Sequence, residues 1–418
     1  MSKQKKPEFF YGYVVVGAGL VTQVLILGTY SSFGVFFKPL AMEFGWMRAT
    51  TSAAVSIAAL VMGFSALVTG RLTDKYGPKV VLMASGLFVG VGYLLMSRIN
   101  VLWQLYLTYG LLVGIAMSAA DLPITSTVAR WFIKRRGMMT GVTKAGAGIG
   151  IMVVPLVANL LITNYGWRNA YIIIGITALI GIILAALFLK RDPAQIGKLP
   201  DGATESEVVE RKINPVQFSL REAMGTSQLR LLLVIWFSFM SCANVIILHT
   251  VPHITDLGFS PALAASVISV IGGFSIFGRL SLPSLSDSLG TKKAYQIAFS
   301  LLAISLIWLQ FAREAWMFYL FAAVYGTAHG ASYTLLAPMV AGLFGLRSLG
   351  TILGVVLLAG TFGSFINPIL AGRIYDTLGS YQLAFLILTV LSLTALTLVS
   401  LIKPTSNRGD GKRLGKVI

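Results

Sequence analysis

A single cysteine in 418 residues, Cys242, excludes any intramolecular disulfide. Charge is scarce as well: Asp, Glu, Lys and Arg together make only 11% of the chain, where a soluble globular domain carries about a quarter. Acidic residues number 15 against 33 basic ones, so an acidic, solvating chain is excluded. No Walker-type phosphate loop, zinc-ligand spacing or nucleophile elbow occurs anywhere. No polar stretch is long enough to fold as a soluble catalytic domain, so neither enzyme chemistry, cofactor nor metal is expected. Hydrophobic residues instead make 56% of the chain and the mean hydropathy is +0.81, which excludes an ordinary water-soluble fold.

What fills the chain is apolar runs of about 20 residues, the length that crosses a bilayer as a helix. Twelve are predicted, over 11–37, 49–70, 80–97, 101–129, 138–163, 168–189, 230–254, 263–285, 294–312, 316–342, 349–371 and 381–402. The basic start Met1-Ser2-Lys3-Gln4-Lys5-Lys6 resembles a signal-peptide opening, but the apolar run behind it is too long for one and stays as the first span. Loops are short except for a polar, charged stretch at about 191–229, which divides the chain into an N-terminal six-helix bundle (1–190), a linker (191–229) and a C-terminal six-helix bundle with a short basic tail (230–418). The end of the linker, Phe218 to Leu229, is expected to lie on the membrane as a helix. Lys and Arg crowd the tails, the linker and alternate loops, so both termini are expected in the cytoplasm. The formal net charge of +18 thus reads as a positive-inside bias toward a lipid bilayer and not as a nucleic-acid surface. The economy of the loops suggests a prokaryotic inner membrane.

The two halves share a register. At one constant offset Gly45 falls on Gly258, Asp74 on Asp287, Gly77 on Gly290, Lys79 on Lys292, Gly141 on Gly354, Pro155 on Pro368 and Gly166 on Gly379. The fold class is therefore an all-α polytopic membrane protein of twelve helices in two six-helix pseudo-repeats. Such repeats rock against each other around a site at mid-membrane. Small-residue faces at Gly141, Gly146, Gly150, Gly354, Gly360 and Gly363 let helices approach closely.

Against this symmetry stands Arg279, in the run Ile271 to Leu280, whose repeat counterpart is Ala66. A guanidinium in hydrocarbon costs about 2.5–3.5 kcal/mol on insertion scales, so an intramembrane arginine marks a functional site. It stays charged and offers a planar fork of donors that fits a carboxylate. Depth counting puts Asp121, Lys144 and Tyr333 in the same layer. Asp121 and Lys144 either form a structural ion pair between helices 4 and 5, or Lys144 helps Arg279 hold an anion while a buried Asp121 takes up a proton. Tyr30 and Tyr333 are candidate donors to a cavity. His329, inside helix 10, could titrate near neutral pH, but is expected to hydrogen-bond across a helix interface.

Gly70-Arg71-Leu72-Thr73-Asp74-Lys75-Tyr76-Gly77-Pro78-Lys79 resembles the loop 2–3 motif of the major facilitator superfamily, with a degenerate echo from Ser284 to Lys292. The resemblance implies a cytoplasmic latch in which Asp74, and by the repeat Asp287, work with arginines such as Arg130. Trp131 to Gly146 is similar to the fifth-helix signature of the monocarboxylate transporters and their oxalate–formate antiporter relatives, and Tyr11-Gly12-Tyr13-Val14-Val15-Val16 is a looser version of that group's first-helix signature. In these transporters an eighth-helix arginine binds the substrate carboxylate, and Arg279 stands at that position. His249, in His249-Thr250-Val251-Pro252-His253, resembles a family pattern near the outer end of helix 7 and is a candidate gate or lining residue. The chain departs from the group in three places. Ser275 stands where the animal lactate transporters carry an aspartate, and Ser31 where they carry a lysine. Leu357 stands where oxalate relatives have a second cation.

The expected function is secondary transport of a small organic anion, a monocarboxylate such as lactate or pyruvate moved with a proton as coupling ion, by alternating access of a monomeric unit. Phe33, Leu357 and Phe362 are the expected apolar walls. The alternatives are a dicarboxylate–monocarboxylate exchanger and, more remotely, a membrane sensor that has lost transport.

Overall fold

The computed structural model describes residues 10–132, 135–200, 218–345 and 348–403. Its long helices, numbered here in chain order, are α1 (Gly12–Phe44), α2 (Arg48–Tyr76), α3 (Pro78–Met96), α4 (Leu102–Trp131, interrupted), α5 and α6 (together Arg136–Leu187), α7 (Ser227–Asp256), α8 (Pro261–Leu289), α9 (Thr291–Phe311), α10 (Ala315–Phe344), α11 (Leu349–Leu378) and α12 (Gln382–Leu401). Among the described residues ten stretches are long and apolar enough to cross a membrane. One of them, Met138–Leu187, holds two helices, and the 30-residue α10 packs among them, giving the twelve helices expected. Phe10 and Lys403 share one face, called here the terminal face, and the chain crosses to a far face and back six times.

The repeat read from the sequence is a repeat of helix ends. Gly45 and Gly258, Gly77 and Gly290, and Gly166 and Gly379 all have positive φ, between 66° and 91°. Only glycine enters this region without strain from a Cβ. Gly166 thus breaks the run 136–187 into α5 and α6 (φ 77°, ψ 160°), and its counterpart Gly379 closes α11 with a left-handed cap. Each half has its own apolar core: one built from α1–α6 around Tyr93, Tyr109, Trp131 and Tyr171, the other from α7–α12 around Trp236, Phe239, Tyr295 and Phe344.

Three crossings join the halves, and each rests on a missing side chain. A Cβ on Gly34 of α1 would come within 2.9 Å of the Ile247 carbonyl oxygen in α7, one on Gly372 of α11 within 2.7 Å of the Ala49 nitrogen in α2, and one on Gly272 of α8 within 2.4 Å of the Met152 nitrogen in α5. Toward the terminal face the described glycines pack less tightly. At the repeat-related Gly141 and Gly354 a Cβ would meet Leu280 at 4.0 Å and nothing, respectively. The described structure is closed at the far face and looser at the terminal face.

Two local expectations are corrected. Helix 4 is not continuous over 101–129: Tyr106–Val113 is wound as π-helix, and the chain leaves the helix at Ser118 to restart at Leu122. Pro123, second in the new helix, has no N–H to give to the turn before it, and this breaks the ladder. The stretch Phe218–Leu229 is not one surface helix. Only Leu220–Met224 is helical there, held by a Ser219–Glu222 capping box, and α7 already begins at Ser227. Phe218 is buried edge-on against Phe344 and donates its N–H to the Phe344 carbonyl at 2.9 Å.

Candidate functional site

Arg279 lies at mid-depth in α8 and is 7% exposed. No carboxylate pairs with it among the described residues, and its Nε has no hydrogen-bond partner. Its guanidinium carbon stands 5.6 Å from the centre of the Tyr333 ring, a cation–π distance. Tyr333 belongs to an aromatic wall, with ring centres 5.6 Å from Trp236, 5.1 Å from Phe239 and 5.0 Å from His329. Its hydroxyl donates to the Met240 sulfur at 3.3 Å. The indole nitrogen of Trp236 and Nδ1 of His329 are also buried without partners. Around Tyr333, Arg279 Nε and His329 Nδ1 thus stand without a hydrogen-bond partner among the described residues, where buried polar groups are usually paired.

The second cation is committed. Lys144 Nζ lies 3.2 Å from Asp121 Oδ2, so of the two readings of this pair the ion pair is the one formed. Asp121 stands at the break in α4, where the unpaired Ala120 carbonyl accepts from the Gln23 side-chain amide at 2.8 Å and the same amide reaches Asp121 Oδ1 at 3.5 Å. The expected burial of Asp121 is not observed. Its side chain is 59% exposed, because the chain break lifts it out of the packed helix interface.

At the middle of the α1/α7 crossing the Tyr30 hydroxyl donates to Asn244 Oδ1 (3.1 Å), and Asn244 Nδ2 donates to Ser364 Oγ (2.8 Å). The far face is closed by a denser network. Asp256 at the end of α7 accepts from Arg48 (2.6 Å) and Lys38 (3.1 Å) of the other half. Asp376 of α11 accepts from the backbone N–H groups of Arg48 and Ala49, both at 2.9 Å. Arg48 also donates to the Tyr381 hydroxyl at 2.8 Å and lies over the Tyr375 ring at 3.6 Å. The Tyr381 hydroxyl, accepting from Arg48, gives its own proton to His249 Nδ1 at 3.0 Å. That fixes the proton of His249 on Nε2, which donates to the Pro368 carbonyl at 3.1 Å.

The structure therefore brings Arg279, Tyr333 and His329 together and pairs Asp121 with Lys144. His329 does not make the hydrogen bond across a helix interface expected of it: its Nδ1 is bare and its ring stacks on Tyr325. Phe33 is not an open wall, being 1% exposed and clamped 4.3 Å from Tyr109 inside the N-terminal core. Leu357 and Phe362 are 45% and 44% exposed. His249 is fully buried in the far-face closure. Arg130 forms an ion pair with Asp192 at 3.4 Å, while the side chains of Asp74 and Asp287 lie outside what the structure describes. Gln23, Asn244, Arg48, Asp256 and Asp376 escaped the sequence reading. Asp121 two residues ahead of Pro123 was a legible helix start, whereas Arg48 and Asp376 look like ordinary loop-end charges until the two halves are docked.

A chain of twelve membrane-crossing helices in two like halves, closed at one face over a buried unpaired cation, is a membrane carrier and not an enzyme. The chain belongs to the Major Facilitator Superfamily, whose profile matches residues 19–304 and 282–416. It is similar to monocarboxylate transporter 13 of Rattus norvegicus, 27% identical over 391 residues covering 92% of this chain and 87% of that one, and to monocarboxylate transporter 12 of Homo sapiens, 26% identical over 406 residues, 91% and 78%. The crystal structure of a bacterial homologue of the human lysosomal transporter Spinster, in an inward-facing and occupied conformation, has the same fold: TM-score 0.67 at 14% identity, covering 95% of this chain and 97% of that one.

Proposed function

We propose that this transporter carries a small monocarboxylate anion together with a proton, and that Arg279 holds the carboxylate. One observation carries the choice of a monoanion. Lys144 is neutralised by Asp121, so the pocket offers a single uncompensated positive charge. A monocarboxylate cancels it, whereas a dicarboxylate would leave a bare negative charge in a low-dielectric site. The resemblance to monocarboxylate transporters supports the same class. On this reading the terminal face is cytoplasmic, the protein works as a monomer in a prokaryotic inner membrane, and the far-face network is the closed outer gate. Substrate then enters or leaves past Asp121 and Lys144.

The test is uptake of labelled lactate, pyruvate, formate and oxalate into proteoliposomes, with and without an inward proton gradient. Gradient-driven uptake of the monocarboxylates is expected, falling at least tenfold in Arg279→Ala, since a charge-assisted hydrogen bond contributes about 1.5–3 kcal/mol. Arg279→Lys is expected to recover only part of it, for want of the planar fork. Oxalate uptake that requires internal anion would replace this reading with exchange. Normal transport by Arg279→Ala would make the residue structural.

A further inference from the structure

We propose that His329 is the proton-accepting group of this carrier, and that it takes its proton only while an anion occupies Arg279. The proposal rests on the reading of Arg279 as the anion site.

The two residues sit on helices that cannot drift apart. A Cβ on Gly330 of α10 would fall 2.0 Å from the Ser275 carbonyl oxygen of α8, one on Gly326 would fall 2.5 Å from that of Ile271, and one on Gly278 of α8 would fall 2.0 Å from that of Thr327. Backbone lies on backbone along the whole crossing. Arg279 and His329, each next to one of these contacts in sequence, therefore keep a fixed relation through any rigid rocking of the halves.

His329 is 4% exposed, and its Nδ1 has no partner. The groups around it come from four helices. On its own helix, Tyr325 stacks at 5.8 Å and Tyr333 stands edge-on at 5.0 Å. From α7 comes Phe239 at 6.0 Å, with Cys242 close behind Tyr325. From α9, Phe299 backs Phe239 and carries Tyr295 against it. From α8 comes Arg279, whose guanidinium carbon lies 5.6 Å from the centre of the same Tyr333 ring that stands against His329. Among the described residues no carboxylate acts on His329. In the empty site a second positive charge beside Arg279 is therefore unfavourable, and the imidazole stays neutral with a lone pair to offer. A carboxylate on Arg279 reverses this. It cancels the arginine field and gives an imidazolium a counter-charge, so Nδ1 accepts a proton from water on the open side and later returns one to the other side with the anion. The site carries one positive charge when empty (Arg279) and one when loaded (Arg279, carboxylate, His329), so the cargo crosses without net charge.

The rival acids are accounted for. Asp121 is paired with Lys144. Ser275, one turn before Arg279, is fully buried, and a Cβ on Gly148 of α5 would come within 2.9 Å of its hydroxyl.

Coupled equilibria are reciprocal, so the proton can be counted on binding alone. Purified protein in weakly buffered detergent solution is mixed with pyruvate or lactate, and proton uptake is read by a pH dye alongside calorimetric affinity. Wild type is expected to take up close to one proton per anion bound, with affinity rising up to about tenfold per unit fall in pH. His329→Gln and His329→Asn, checked for folding by their melting curves, are expected to bind the anion with flat pH dependence and no uptake. Full proton uptake in either variant would overturn the proposal, as would anion binding without uptake in wild type, and both leave Arg279 as the anion site. Wild type that binds neither anion would instead remove the Arg279 reading and this proposal with it.

Discussion

Arg279 is costly where it stands, and among the described residues no ion pair offsets that cost: it is 7% exposed, with a bare Nε and the face of Tyr333 near its charge. Lys144 shows the contrast. It is equally a cation inside an apolar helix, yet Asp121 answers it at 3.2 Å; on the proposed reading one charge is structural and the other is left for cargo. If this division sets the preference for a monoanion, releasing Lys144 should change it. Asp121→Asn is expected to raise oxalate binding relative to lactate by about tenfold, a factor equivalent to about 1.4 kcal/mol, measured as competition for labelled lactate uptake. An unchanged ratio would mean that Lys144 does not face the anion. Arg279 was legible in the sequence because a lone charge in an apolar run is conspicuous at any depth. The environment of Asp121 was not, because its exposure depends on a helix break, and helix 4 read as one apolar run. His329 was visible as a residue, but the absence of a partner is a property of the packed neighbours and has no local signature.

The most unusual element is α2. Its own N-cap residue, Met47, has no side-chain oxygen to offer, and the first-turn N–H groups of Arg48 and Ala49 are taken instead by Asp376 from the other half. Its repeat counterpart α8 is capped within its own chain segment, by Ser260 accepting from the Leu263 N–H. An acid at a helix N-terminus satisfies donors and complements the helix dipole. Here that stabilisation exists only while the far face is closed. Asp376→Ala should therefore weaken closure by about 0.5–2 kcal/mol, the usual range for a lost cap, without touching the anion pocket. Spin-label distances across the far face are expected to show a larger open fraction, with binding at Arg279 unchanged; an unmoved distribution would reduce the contact to decoration. Helix positions were readable from apolar length and from Pro and Gly punctuation, since each boundary is a local event. A cap lent from a helix hundreds of residues away leaves no trace in either segment alone.

At the scale of the whole molecule, the halves are two cores hinged on three glycine crossings, tied by ion pairs at the far face and packed less tightly at the described glycines of the other. The repeat was legible because it is written in glycines that must take positive φ, and such positions tolerate little else. Which face is tied was not legible, since both ends of every helix are equally apolar. The crowding of Lys and Arg toward the terminal face predicts that a protease-cleavable tag at either terminus is cut only after spheroplasts are permeabilised; cleavage from outside would invert the assignment of the faces. The lone cysteine now has a use. Cys242 is wholly enclosed in the C-terminal core, its sulfur turned to the Leu388 carbonyl at 3.6 Å. A chain whose one thiol is sealed off behaves toward maleimide reagents as if it had none. Pairs of reporter cysteines can thus be set at the two ends of the Lys38–Asp256 contact and labelled in the otherwise native chain, making the protein a ready substrate for watching a carrier breathe one molecule at a time.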